Sequence, residues 1–228
     1  NDASEALAMA ATGSLDAWLA RMNADAAQLR MADTHFGSPN GFPDGGSTYT
    51  TARDLAKLGR ALTQDYPGLY RRFFGHRQLT WSNITQPNHD PVTGQVEGGD
   101  GIKTGFTAEA GFTVMGSAER GGRRLLVVLA AAPSAAMRDK AARDLLEWGF
   151  ARFTPVPLLS AGAVIGSARV QDGAASAVPV RLATDLALAL PAGRNEGIAA
   201  QVIYHGPVAA PVAQGQVIAR LRLEIPGA

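Results

Sequence analysis

The chain has 228 residues, 18% of them charged and 46% hydrophobic, with a formal net charge of +1 and a mean hydropathy close to zero. That is an ordinary globular composition, and it excludes collagen-like, coiled-coil and disordered classes. With no cysteine, disulfides, thiolate metal sites and a cysteine nucleophile are excluded, while the compartment stays open.

The length suits one main domain and a smaller module. The longest apolar run, Leu125 to Pro133, is strand-sized and far short of the roughly 18 residues that span a bilayer. Basic residues are scattered, and the short cluster of Arg120, Arg123 and Arg124 reads as solvated surface at a turn, so no nucleic-acid partner is expected. The chain begins Asn1-Asp2-Ala3, with neither initiator methionine nor signal peptide, and an upstream part is expected to be missing.

From Asn1 to about Ala32 the text is helical, with Leu15, Trp18, Leu19, Met22, Ala26 and Leu29 recurring at helical spacing and Ser14 as an N-cap. Phe36 to Ser47 reads as loop. Thr51-Ala52-Arg53-Asp54 has the capping-box pattern ahead of a helix through Leu55, Leu58 and Leu62 to about Gln64. A short helix near Leu69 to Phe74 and a strand at Arg77 to Trp81 lead into a polar loop, Asn83 to Gly99. Three strands follow, at Gly101 to Phe106, Phe112 to Glu119 and Arg123 to Ala131, with Arg120-Gly121-Gly122 as the tight turn. Leu125 to Ala130 is apolar throughout, which predicts a central strand covered on both faces. Ser134 caps a last helix whose apolar face is read through Met137, Ala141, Leu145, Trp148 and Phe150. Thr154-Pro155-Val156-Pro157 reads as a stiff linker, and beyond it short alternating runs predict a small all-β module.

The sharpest chemical signal is Asp100-Gly101-Ile102-Lys103-Thr104-Gly105-Phe106-Thr107 on a predicted strand. Side chains alternate along a strand, so the Lys103 cation shares a face with Gly105, where the backbone is bare and a ligand can lie flush. Were that strand to border a cleft, an extended peptide could add alongside it, and the Phe106 amide would be free to donate to a developing oxyanion. His35, His76, His89 and His205 are scattered with no pairing at metal-ligand spacing, so neither a metal nor a cofactor is expected.

Lys103-Thr104-Gly105 matches one element of the active sites of β-lactamases and penicillin-binding proteins. Asn1-Asp2-Ala3, Met22-Asn23, Thr34-His35-Phe36, Gly41-Phe42-Pro43-Asp44, Thr51-Ala52-Arg53-Asp54, Trp148-Gly149-Phe150 and Leu190-Pro191-Ala192-Gly193 fall in order around it. Together they resemble the low-molecular-mass penicillin-binding proteins, the serine D-alanyl-D-alanine carboxypeptidases of the S11 peptidase type, over essentially the whole chain. The resemblance implies an α/β (α+β) transpeptidase-like domain over residues 1–153, with an antiparallel sheet flanked by helices, and a small β-sandwich-like domain over residues 154–228. It implies a serine acyl-enzyme that removes the terminal D-Ala from peptidoglycan stem peptides and is trapped by β-lactams. On that resemblance Lys103 polarises the proton network, Thr104 and Arg138 bind the terminal carboxylate, Gly105 lets the substrate approach, the Phe106 amide forms half of the oxyanion hole, and Asn1 touches the substrate amide. It further implies export to the periplasm or the outer face of the cytoplasmic membrane, with peripheral membrane association through a removed C-terminal anchor. Phe106 stands where a histidine is expected from some relatives.

The chain also departs from the family in lacking the nucleophile, its base and the second-motif serine. Its three lysines, Lys57, Lys103 and Lys140, follow Asp54, Asp100 and Met137 at the third preceding position, so there is no Ser-x-x-Lys. Ser38-Pro39-Asn40 matches Ser-x-Asn by letters but lies in a loop and is a decoy. The expectation is an enzyme whose nucleophile lies on a segment absent from this chain and held as a noncovalent partner, leaving this chain alone inactive. The competing readings are a non-catalytic peptidoglycan-binding remnant, and an unrelated hydrolase.

Overall fold

The structure is a computed structural model and describes residues 2–191 and 197–225. The chain divides into two compact units, Asn1–Gly149 and Phe150–Ala228. Helices α1 (Asp2–Thr12) and α2 (Leu15–Gln28) open the first unit, and the Ser14 side chain accepts from Ala17 N at the start of α2, where the cap is expected. An irregular stretch leads to α3 (Ala52–Gln64), whose N-cap Thr51 accepts from Asp54 N. After α4 (Pro67–Phe73) comes a hairpin of β1 (Gln78–Trp81) and β2 (Ile84–Pro87). The second strand replaces the start of the expected polar loop. Ser82 and Asn83 both take left-handed backbone, the geometry of a two-residue hairpin turn, and this draws the flanking residues into register.

The main sheet is antiparallel, in the order β3 (Gly99–Thr107), β4 (Gly111–Arg120), β5 (Arg123–Ala132). The expected central position of the Leu125 to Ala130 strand is therefore corrected: among the described residues β4 is central and β5 lies at an edge. The apolar run has a different cause, because helices cover both faces of β5. Gly59 of α3 lies against Leu126, and Gly149 of α5 (Ala135–Arg152) lies against the neighbouring Leu125, which points the opposite way. One core cluster gathers Tyr70, Ile102 and Met115 with Leu55, Leu62, Phe74, Leu126 and Val128.

Helix α5 starts where expected, with Ser134 Oγ accepting from Met137 N, but its buried face is different. Arg138, Ala142, Leu146 and Gly149 are buried, whereas Met137, Leu145 and Trp148 are exposed. Gly149 of this row lies against Leu125 of the sheet, and the larger apolar side chains one position away face outward. Arg120 at the end of β4 donates to Glu147 of α5 at 2.9 Å.

In the second unit β6 (Phe153–Leu159) pairs antiparallel with β9 (Leu186–Pro191), so the expected Thr154–Pro157 linker is a strand. Among the described residues β6 has β9 as its single partner, and prolines are tolerated on a strand with an open edge. β7 (Val164–Gln171) pairs with β8 (Ala177–Arg181) and, in parallel, with the short β11 (Val208–Ala209). β10 (Ala199–Ile203) pairs with β12 (Arg220–Glu224). Ala168, Val180 and Leu190 are buried within this all-β unit. Among the described residues no helix is long and apolar enough to cross a membrane.

Candidate active site

Strand β3 hydrogen-bonds to β4 on one side, and among the described residues its other side has no partner strand. An edge strand offers alternate N–H and C=O groups to an added chain. The register Lys103↔Met115, Thr104↔Val114, Gly105↔Thr113 and Phe106↔Phe112 puts Lys103 and Gly105 on the α3 side of the sheet and Thr104 and Phe106 on the α5 side. Lys103, Gly105 and Phe106 are exposed, and Thr104 is half-buried. The Lys103 ammonium donates to the Thr104 carbonyl. A Cβ at position 105 would stand 2.7 Å from Thr113 Oγ1, so a larger residue would require that hydroxyl to turn aside and would cover the bare backbone.

What fixes β3 lies one turn of the pleat earlier. Pairing runs Gly99↔Ala118 and then Gly101↔Ser117, leaving Asp100 as the extra residue of a bulge. The bulge lets both Asp100 carboxylate oxygens accept from Arg124 Nη1 at 2.8 Å. Arg124 also donates to Ser117 Oγ and to Glu119. The Tyr70 hydroxyl donates to the Asp100 carbonyl at 3.0 Å, and the Arg124 guanidinium lies 5.3 Å from the Tyr70 ring centroid. Gly101 has φ +149°, and a Cβ there would meet the Tyr70 hydroxyl at 2.7 Å, so glycine is required on both counts.

The solvated reading of the cluster is therefore corrected for Arg120 and Arg124, whose side chains are 20% and 19% exposed, the first paired with Glu147 and the second with Asp100 and Glu119. Burial pulls the Arg124 guanidinium down, but hydrogen bonds and charge from Asp100 and Glu119 outweigh it and hold it above its ordinary value. Burial pushes the Tyr70 phenol well above its ordinary value, so at neutral pH it stays a proton donor. Reading the sequence missed Tyr70, Ser117 and Arg124. The available signal was Asp100 itself, a carboxylate beside a buried strand, which needs a partner.

Arg138, on the first turn of α5, is 8% exposed. Its Nε and Nη2 donate to Asp139 Oδ1 at 2.8 and 2.7 Å. Its guanidinium lies 5.9 Å from the Phe112 ring centroid. That places Arg138 on the sheet face shared by Thr104 and Phe106. The neighbouring carboxylate offsets the unfavourable position of a cation at a helix N-terminus. Asn1 lies outside the described residues, as do Ala192 and Gly193 of the Leu190–Gly193 turn.

The remaining motif residues serve the irregular stretch between α2 and α3. Asn23 donates to Phe36 O and accepts from Phe36 N, both at 2.9 Å. Asp44 accepts from Thr48 N at 3.0 Å and from the Thr48 hydroxyl, which holds its carboxyl below the usual range. Buried Asp54 accepts from Asp33 N and Thr34 Oγ1 at 2.9 Å and from Lys57 Nζ at 2.6 Å. Ser38 Oγ accepts from Gly41 N and Asn40 Oδ1 from Phe42 N, bonds of the kind that shape a turn. Among the described residues no group of three or more His, Asp or Glu is placed to hold a metal ion.

The profile of the D-alanyl-D-alanine carboxypeptidase family of S11 peptidases matches residues 1–134, and that of the penicillin-binding protein 5 C-terminal domain matches residues 153–227. D-alanyl-D-alanine carboxypeptidase DacD of Salmonella typhimurium is 35% identical over 225 residues, which cover 98% of this chain and 57% of that protein. Penicillin-binding protein 5 of Haemophilus influenzae superposes with a TM-score of 0.78 at 30% identity, over 98% of this chain and 65% of that one. Penicillin-binding protein D2 of Listeria monocytogenes, solved in an ampicillin-bound form, matches with a TM-score of 0.54 at 34% identity, over 58% of this chain and 55% of that one. The chain thus spans between half and two thirds of the length of these proteins. With the edge strand, its Lys103-Thr104-Gly105 and two family profiles falling in sequence on the two units, the chain belongs to the D-alanyl-D-alanine carboxypeptidase family of penicillin-binding proteins.

Proposed function

We propose that the protein carrying this chain is a serine D-alanyl-D-alanine carboxypeptidase that removes the terminal D-Ala from peptidoglycan stem peptides through an acyl-enzyme, and that β-lactams trap the same serine. The observation that carries this reading is Lys103-Thr104-Gly105 on an edge strand anchored by the Asp100 bulge. A stem peptide pairs along β3, over the bare backbone of Gly105. Thr104 and Arg138 receive the terminal carboxylate, and the Phe106 amide donates to the oxyanion as the tetrahedral carbonyl forms. Lys103 lowers the cost of moving the serine proton to the leaving amine, and Asn1 holds the substrate amide. Water then attacks the acyl carbonyl and releases the shortened peptide.

Ser-x-x-Lys occurs nowhere in the 228 residues, so in this reading the nucleophile and its base belong to residues outside them, covalently joined or held as a noncovalent partner. The substrate class places the protein outside the cytoplasmic membrane, where a C-terminal anchor would add peripheral attachment.

The test is to incubate the native protein with a fluorescent penicillin, denature it, and weigh the polypeptide that carries the label, with D-Ala release from a D-Ala-D-Ala peptide measured in parallel. Label on a Ser-x-x-Lys segment is the expected result. Lys103→Ala should slow acylation by about 10²–10⁴-fold, the usual weight of a positioned proton-transfer group. Absence of label, with retained binding to peptidoglycan, would make the chain a non-catalytic wall-binding module.

A further inference from the structure

The Phe106 side chain has no role in the reading above, which uses only its amide. The residue is 61% exposed, yet it stands directly opposite Phe112 in the β3–β4 register. The two ring centroids are 4.3 Å apart with planes tilted by 33°. Phe112 is half-buried and has the Arg138 guanidinium 5.9 Å from its centroid, and Arg138 is itself buried and tied to Asp139. An isolated surface phenylalanine would sample several rotamers. This one is backed by a second ring, which is in turn backed by a fixed cation, so little freedom remains to be lost when something stacks on it.

The position of the pair gives it a use. Thr104 and Phe106 lie on the same face of β3, and Arg138 approaches that face from α5 through Phe112. A hydroxyl, an exposed aromatic ring and a cation therefore share one side of the strand. Resting on the proposed function, in which Thr104 and Arg138 receive the ligand carboxylate, we infer that Phe106 determines specificity by offering its ring to a planar apolar group attached beside that carboxylate. The ligand class that carries such a group is the cephems whose ring carbon next to the carboxylate-bearing carbon bears a conjugated aromatic substituent.

The experiment uses two cephems with the same acyl side chain, one with a methyl and one with a styryl group at that carbon. Second-order acylation constants are measured on the whole protein and on its Phe106→Leu, Phe106→Tyr and Phe112→Leu variants. The expected result is that the styryl-to-methyl preference falls about three- to tenfold in Phe106→Leu, the weight of one aromatic stack. It is retained in Phe106→Tyr and falls by less in Phe112→Leu, where the shelf stays but loses its backing. A preference unchanged in Phe106→Leu overturns the inference, as does an equal fall in Phe106→Tyr, which would make the effect one of local packing. Failure of the unaltered protein to be acylated by either cephem would overturn the functional reading beneath it, an outcome distinct from both.

Discussion

Asp54 shows how a residue that belongs to the family pattern can act entirely through structure. Its buried carboxylate collects donors from Asp33, Thr34 and Lys57, and so ties the stretch after α2 to the first turn of α3. The Lys57 ammonium, chiefly, together with the bonds from Asp33 and Thr34, outweighs burial and holds this carboxyl below its ordinary value of 3.8. A carboxylate depressed in the folded state stabilises the fold fully above its unfolded value, near pH 4, and the contribution is lost as the pH falls through the lower folded value. Thermal midpoints followed downward from pH 6 should therefore drop less steeply in Asp54→Asn than in the unaltered protein, from a lower starting point. Parallel acid limbs would mean that Asp54 is not a source of the acid sensitivity. Asn23 and Asp44 likewise hold the stretch between α2 and α3 by hydrogen bonds, and among the described residues none of these three side chains bonds to strand β3.

At the scale of elements, the position of β3 depends on its approach to neighbouring backbone. Gly98 precedes the strand with φ +72°, and a Cβ there would stand 2.0 Å from the Glu119 carbonyl oxygen, to whose amide the Gly98 carbonyl is bonded at 2.9 Å. Gly121, in the β4–β5 turn, also has positive φ but has open space around it. Gly98→Ala should cost about 3 kcal/mol, from left-handed backbone strain and forced separation of the strands together. Gly121→Ala carries the backbone penalty alone and should cost about 1 kcal/mol. Urea midpoints at constant slope separate the two, and equal losses would show that the Gly98–Glu119 approach does not hold the strand. The Asp100 bulge is the element-level counterpart: one extra residue turns a carboxylate out of the ladder and towards Arg124.

For the molecule as a whole, the two units each have buried residues of their own, and family profiles match residues 1–134 and 153–227 separately. We propose that the second is an independent domain. A polypeptide beginning at Phe153 should then fold alone, giving dispersed amide resonances and a cooperative melt, with Ala168, Val180 and Leu190 in its core. Collapsed resonances from that polypeptide would assign β6–β12 to a larger folding unit.

The sequence alone determined the capped helix starts, the three β strands around Lys103, the all-β character after Phe153 and the family, because each rests on local pattern: a hydroxyl before a helix, alternation along a strand, or motifs in a fixed order. Tertiary structure decided the rest. Hydrophobic periodicity in α5 marked Met137, Leu145 and Trp148, whereas the folded helix buries Arg138, Ala142, Leu146 and Gly149. An unbroken apolar run showed that β5 is covered on both faces, but coverage by helices says nothing about strand order. Two prolines suggested a linker where an open edge accommodates a strand. Arg124 reaches Asp100 across 24 residues of chain, and Phe106 meets Phe112 only through the register. Such contacts are set by pairing and packing between distant segments, which no local window of sequence contains.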